Sequence, residues 1–296
     1  MCKYDRFNFE SIKYFNTKES NVSIAKIIFP EGSSSEIDGL RKHIAILRKY
    51  GLPTATETPI FANVEPKKRN RFAPFKGGDI DNVLVIGDLH APFTLPKYLK
   101  FCRDQQELYN CGTVIFIGDI IDNHFSSYHE SDPDGYGAGE ELDRAIDMIS
   151  DWYHTFPKAT VIIGNHDRLV YRKAYSSGVS KQWIREYKDV LNTQGWDFVE
   201  NIELHNVDFN HGEGGTAKNR MKSELKSQVQ GHLHTQLYAE YAVGANFIIF
   251  GMQVGCGVDN KSYAMAYGKH FKKPAIGCGV VLNKGTLPIA LPMKMG

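Results

Sequence analysis

The segment "QGHLHTQ" (230–236) sets two imidazoles, His232 and His234, on either side of one leucine and directly after a glycine. Imidazoles at that spacing are either surface polar groups on an extended segment or ligands aimed at a common centre. Four other segments bear on the choice. "GDLH" (87–90) offers Asp88 and His90, and "GDIID" (118–122) offers Asp119 and Asp122. "GNHD" (164–167) offers Asn165, His166 and Asp167, and "NHG" (210–212) offers His211. The donors are oxygen and nitrogen throughout, with no thiolate, a mix that suits manganese, iron, nickel or zinc rather than calcium. Asp88, His90, Asp119, Asn165, His211, His232 and His234 are too many for one tetrahedral site. They are about right for two neighbouring six-coordinate sites that share a bridging ligand.

The elements that must position these donors are legible in the hydrophobic pattern. "NVLVIGD" (82–88), "TVIFIGD" (113–119) and "ATVIIGN" (159–165) are short apolar, β-branched runs closed by glycine, the form of strands buried on both faces. "NVDFNHG" (206–212) and "SQVQGHLH" (227–234) are shorter relatives. Helix-length stretches separate them at 94–109, 139–154 and 180–192. Strand and helix in alternation predict an α/β fold with a largely parallel portion, in which ligands gather beyond the carboxyl ends of the strands. From about residue 236 the chain is Gly-rich and strand-like, which predicts a second sheet closing over the first. Residues 1–52 read as a small helical module, with helices over 21–29 and 35–50, Ser35 as N-cap and Gly51-Leu52-Pro53 as a stop. Two such helices joined by a turn, the second rich in Arg and Lys, are compatible with a helix-turn-helix or with a plain helical cap. Residues 53–80, with four prolines and "KKRNR" at 67–71, read as a linker, and 81–296 as the body.

Composition narrows the class. The chain has 296 residues, 42% hydrophobic and 23% charged, as a soluble globular protein does. Its net charge of +1 hides an asymmetry. Residues 1–76 carry fourteen Lys/Arg against eight Asp/Glu, a balance of +6, which leaves −5 for residues 77–296. A basic front end on an acidic body points to an anionic partner for the front end, with nucleic acid as the candidate. The five cysteines form no CxxC pair, against a disulfide framework or a structural zinc finger. No basic-then-apolar leader and no membrane-length apolar run is present, so a cytoplasmic location without membrane attachment is expected.

The ordered series DxH, GDxxD, GNH(D/E), a lone His, and GHxH resembles the calcineurin-like metallophosphoesterase superfamily. All five elements are present, in order, over residues 88–234. The resemblance does not extend to residues 1–75. "SSYHESDPDGYGAGEELDRA" and "GCGVDNKSYAMAYGK" are similar to bacteriophage members of the superfamily, which would make the location a host cytoplasm. The resemblance implies a four-layer sandwich of two mixed β-sheets flanked by helices, with two divalent metal ions, manganese foremost. Asp88, His90 and His234 would hold the first ion, and Asn165, His211 and His232 the second, with Asp119 bridging. A hydroxide between the ions would attack the phosphorus in line. His166 would protonate the leaving oxygen, and Asp122 would pair with His166 and hold its charged form.

Each residue has a blander reading. Alone, Asp88 and Asn165 are turn residues, and Asp122 is an N-terminal helix carboxylate. His205 in "ELHNV" competes with His211, but only His211 follows an apolar strand and precedes glycine. Phosphoprotein phosphatases of the superfamily continue GDxxD with Arg-Gly, whereas this chain has Asn123-His124. Arg168 and Arg172, after "GNHD", are the candidates to replace that arginine or are solvated helix residues, and His124 is either a substrate contact or a loop histidine. The missing arginine and the basic front end favour a phosphodiesterase or nuclease-like enzyme. A phosphomonoesterase acting on protein or nucleotide stays open, as does a nucleic-acid-binding protein with a vestigial hydrolase site.

Overall fold

The computed structural model describes residues 20–50, 71–127, 135–267 and 272–294. The chain divides into two units, 1–69 and 70–296. In the first, helices Asn21–Ile28 and Ser34–Tyr50 pack through Ile24, Ala25, Leu40 and Ile44. The expected N-cap Ser35 lies inside the second helix. Ser33 precedes it: its amide donates to Glu36 Oε2 at 3.1 Å, the return half of a capping box, and its hydroxyl donates to the same oxygen at 2.7 Å. Arg41 and Lys42 each lie 2.8 Å from Asp38, so part of this helix's positive charge is locally paired. Residues 53–70 of the expected linker lie outside the described residues. Residues 71–78 belong to the second unit, where Phe72 packs on the core and the Ala73 carbonyl accepts from Arg103 Nε at 3.2 Å.

The second unit is built on two sheets. Strands β1 (Asp79–Ile86), β2 (Cys111–Phe116), β3 (Ala159–Ile162) and β4 (Trp196–Val199) run parallel. Two antiparallel strands, β10 (Gly277–Leu282) and β11 (Leu287–Pro292), extend that sheet beside β1, giving the order β11-β10-β1-β2-β3-β4. The second sheet is β5-β6-β7-β9-β8, with β5 (Asn201–Leu204), β6 (Val207–Asn210), β7 (Ser227–Gln230), β8 (Leu237–Gly244) and β9 (Phe247–Val254). The expected closing sheet is therefore only half built from the end of the chain. β8 and β9 join it, while β10 and β11 return to the first sheet.

Strand periodicity explains the layers. Along β1, Val83 and Val85 face the second sheet, where they meet Phe209, Val229 and Met252. Leu84 and Ile86 face helices Tyr98–Leu108 and Ala138–Thr155. Burial on both faces is why these strands read as unbroken apolar runs. On helix Ala138–Thr155 the buried stripe is Glu141, Ala145, Ile149 and Trp152, at helical spacing. Helix Ala217–Glu224 buries Ala217 and Met221, and a Cβ on Gly251 of β9 would meet the Ala217 backbone. The second unit thus stacks as helix, sheet, sheet, helix. Helix Leu169–Ser176, directly after "GNHD", stands outside the expected helical stretches. Cys102, Cys111, Cys256 and Cys278 are buried and unbridged. Among the described residues no helix is long and apolar enough to cross a membrane.

Trp152 is 2% exposed and packs against Tyr98, Phe116 and Phe156. Trp152→Ala is expected to cost about 3–5 kcal/mol, read as a lowered urea midpoint, because the site lies between a rigid sheet and a helix and cannot collapse.

Candidate active site

The segments that carry the candidate ligands leave β1, β2, β3, β6 and β7 at their carboxyl ends and meet at one edge of the sandwich. Asp88, His90, Asp119 and His211 are at most 3% exposed. One group of side chains is Asp88, His90 and His234, and a second is Asp119, His211 and His232, each with donor atoms within 4.8 Å of one another. Asp119 connects them: its Oδ2 lies 3.0 Å from His211 Nε2 and 3.6 Å from His90 Nε2. Asn165 Oδ1 is 3.0 Å from His211 Nε2. All seven expected ligands are thus brought together, whereas His205 lies elsewhere, 3.4 Å from Asp81.

The hydrogen-bond partners set the direction of the lone pairs. His211 Nδ1 lies 3.0 Å from the Ile117 carbonyl, to which it must donate. In a neutral imidazole its Nε2 is then an acceptor, facing two more acceptors, the oxygens of Asp119 and Asn165. Three acceptors cannot converge without a cation or a proton between them. Burial works against the charged form of His211, but the Asp119 carboxylate outweighs it and pushes the imidazole up to about 10. The first group repeats the pattern. His90 Nδ1 is 2.6 Å from Asp122 Oδ1, and its Nε2 then faces His234 Nε2 at 3.0 Å. Burial and the neighbouring His166 hold His90 below the ordinary imidazole range. Asp88 Oδ2 accepts from the His232 amide at 2.9 Å and lies 3.2 Å from His234 Nε2. Asp88 Oδ1 is buried with no hydrogen-bond partner. An orphaned carboxylate oxygen beside inward-facing imidazole lone pairs is what a divalent cation would complete.

Backbone geometry makes the convergence feasible. His90, Asp119 and His232 have φ of 48°, 48° and 66°, the left-handed region that costs L-residues roughly 1–2 kcal/mol each. The turn that separates the two histidines therefore lies at His232. Gly231 is needed for a different reason, since a Cβ there would overlap Asp88 Oδ1 and Ile117. A Cβ on Gly164 would likewise overlap Asp119 Oδ1.

The remaining candidates occupy other places. The His166 amide donates to Asp119 Oδ1 at 2.8 Å. Its Nδ1 donates to the Asp122 carbonyl at 2.6 Å, while Asp122 Oδ1 stands 3.4 Å away. Asp122 thus gives its shortest side-chain contact to His90 and its backbone to His166. Burial disfavours the charged form of His166, but Asp119 and Asp122 outweigh it and raise its affinity for a proton. His124, an expected substrate contact, is fully buried, with Nδ1 2.7 Å from Glu141 Oε2. It packs beneath the centre and presents nothing to a substrate. Arg168 stands at the rim, ion-paired with Glu200 and Glu213, in the wall of a cavity of about 170 Å³ that His211 also lines.

Two supporting carboxylates went unassigned in the sequence. Asp167 accepts from the amides of Ile120, Ile121 and Gly164 at 3.1, 3.3 and 2.8 Å, tying the β2 and β3 loops together. Burial, with Asp119 nearby, pushes its carboxyl up to about 6. Glu141 accepts from the amides of His124 and Phe125 at 2.9 and 3.3 Å. The signal that could have found Glu141 is its place in the buried stripe of an amphipathic helix.

The family model described as calcineurin-like phosphoesterase matches residues 82–248, more than half of the chain. The chain belongs to the calcineurin-like phosphoesterases. This is a family of metal-dependent hydrolases of phosphoesters. No curated protein sequence matches the chain. Among solved structures, an archaeal phosphodiesterase is similar at 14% identity and TM-score 0.37, over 72% of this chain and 99% of its own. YfcE, a phosphoesterase from E. coli, matches at 13% and 0.34, over 71% and 99%. Vps29 from Entamoeba histolytica matches at 15% and 0.33, over 69% and 87%.

Gly164→Ala is expected to displace the Asp119 carboxylate and to lower phosphoesterase turnover at least tenfold, in a steady-state assay with the circular dichroism spectrum unchanged. Glu141→Ala should cost about 1–3 kcal/mol in urea unfolding, since it strands two amides and a buried imidazole.

Proposed function

We propose that the enzyme is a dinuclear phosphodiesterase. Asp88, His90 and His234 would hold the first cation and Asn165, His211 and His232 the second, with Asp119 available to both. The single observation that carries this reading is Asp119 Oδ2, which reaches toward both His90 Nε2 and His211 Nε2. Divalent transition-metal ions, manganese first among them, would neutralise phosphoryl charge and lower the pKa of the attacking water. His166 is the proton donor to the departing oxygen. Its Nδ1 is fixed on the Asp122 carbonyl, so Nε2 carries the transferable proton, and Asp119 and Asp122 favour the charged form that must give it up. Asp122 orients His90 through Nδ1, which turns the Nε2 lone pair toward the centre.

A diester is favoured over a monoester by charge. A monoester dianion calls for a cationic clamp on its free oxygens, which Arg supplies best. The position after GDxxD holds Asn123, whose amide donates to the His166 carbonyl at 3.1 Å, and then the buried His124. The rim arginine Arg168 is already matched by two carboxylates. A diester, with one negative charge, needs no further clamp.

With manganese added, bis-p-nitrophenyl phosphate should be hydrolysed with a kcat/KM above that of p-nitrophenyl phosphate. The reverse order would assign a monoesterase. EDTA should abolish turnover and manganese restore it. His166→Asn should lower kcat by about 10²–10⁴, the usual contribution of a positioned acid. An unchanged kcat in that variant would remove His166 from the reaction.

A further inference from the structure

Residues 168–188 hold six Lys/Arg and one Asp/Glu, a balance of +5, which leaves −10 for the rest of 77–296. Among the described residues of the second unit, the two most exposed aromatic rings lie in this basic segment. Tyr175 is 86% and Trp183 85% exposed, whereas the other two tryptophans, Trp152 and Trp196, are buried. The segment walls a groove of about 430 Å³, lined among others by Arg168, Tyr171, Arg172, Tyr175, Lys181 and Tyr187. Tyr171 and Tyr187 meet edge to face at 5.1 Å, and Lys181 Nζ lies 5.1 Å over the Tyr171 ring. Trp183 ends the short 3₁₀ turn Lys181–Trp183, between the lining residues Lys181 and Ile184. The groove shares Arg168 and Glu200 with the smaller cavity that His211 lines, so the two cavities are neighbours.

We infer that this groove binds a single-stranded polynucleotide and delivers it to the centre. Bases stack on Trp183 and Tyr175, and phosphates lie against Arg172 and Lys181. Flat aromatic faces set among cations match a ligand that alternates bases with phosphates. A duplex hides its base faces, and an acidic polypeptide would use the cations and leave the rings bare. The inference deepens the diesterase reading and rests on it, because it supplies the diester that reading requires.

The test uses the full-length His166→Asn protein loaded with manganese, so that binding is read without turnover. A fluorescein-labelled oligothymidylate of about twelve nucleotides should bind and quench tryptophan emission, a signal that belongs to Trp183 because its counterparts are buried. Trp183→Ala and Tyr175→Ala should each weaken binding roughly tenfold, and Trp183→Phe should retain most of it. Arg172→Ala and Lys181→Ala should each reduce the slope of log affinity against log salt by about 0.7. The inference is overturned if emission does not change, or if Trp183→Ala binds as the parent does. Equal binding of an abasic oligomer, a duplex or polyglutamate overturns it too. Bis-p-nitrophenyl phosphate, given to the parent protein with its His166 intact, separates the two readings. Hydrolysis of that diester without oligomer binding sinks this inference alone. Oligomer binding with quenching, but no diester hydrolysis, sinks the diesterase reading alone.

Discussion

The structure depends on one electrostatic constraint, which is that several acceptors face one another across a space too small for water to separate them. Asp119 Oδ2, Asn165 Oδ1 and the Nε2 of His211 converge at about hydrogen-bond distance. So do the Nε2 atoms of His90 and His234 beside Asp88. In a buried setting such an arrangement is unfavourable unless positive charge fills it. The Asp119 carboxylate beside His211 outweighs the opposing effect of burial and raises the imidazole's proton affinity.

The rest of the fold serves that convergence. Parallel strands buried on both faces end together, and their closing glycines let carboxylates and backbone approach within contact distance. Three of the converging residues, His90, Asp119 and His232, sit in left-handed backbone, which a sheet-end loop tolerates only when its surroundings hold it. The holding is done by carboxylates outside the ligand set. Asp167 staples two loops through three amides, Glu141 pins the turn at His124, and Asp122 aims His90. Such supports fix first-contact ligands more rigidly than the ligands' own rotamers could.

Much of this was legible in the sequence, because strand ends and ligands recur together: an apolar run, a glycine, then a donor. That association singles out six of the seven converging residues, while His211 stands between its strand and the glycine that follows. What was not legible depended on tertiary context. The return of β10 and β11 to the first sheet follows from pairing that no local pattern encodes. His124 looked like a substrate contact because it follows the "GDIID" loop, but Glu141, seventeen residues on, draws it inward. The Asp122 side chain went to His90 rather than mainly to His166, because His166 is satisfied by the Asp122 backbone carbonyl. Helix Leu169–Ser176 carries no long apolar period, and Tyr171, Arg172 and Tyr175 on it line a groove that only the tertiary fold forms.

The central claim is that the converging acceptors hold two cations. Elemental analysis of full-length protein reloaded with manganese and freed of excess metal tests it most directly. The account predicts about two ions per chain, falling by at least one in Asp119→Asn as the shared ligand weakens. A protein that retains no metal after reloading, or an Asp119→Asn variant that still holds both ions, would contradict it.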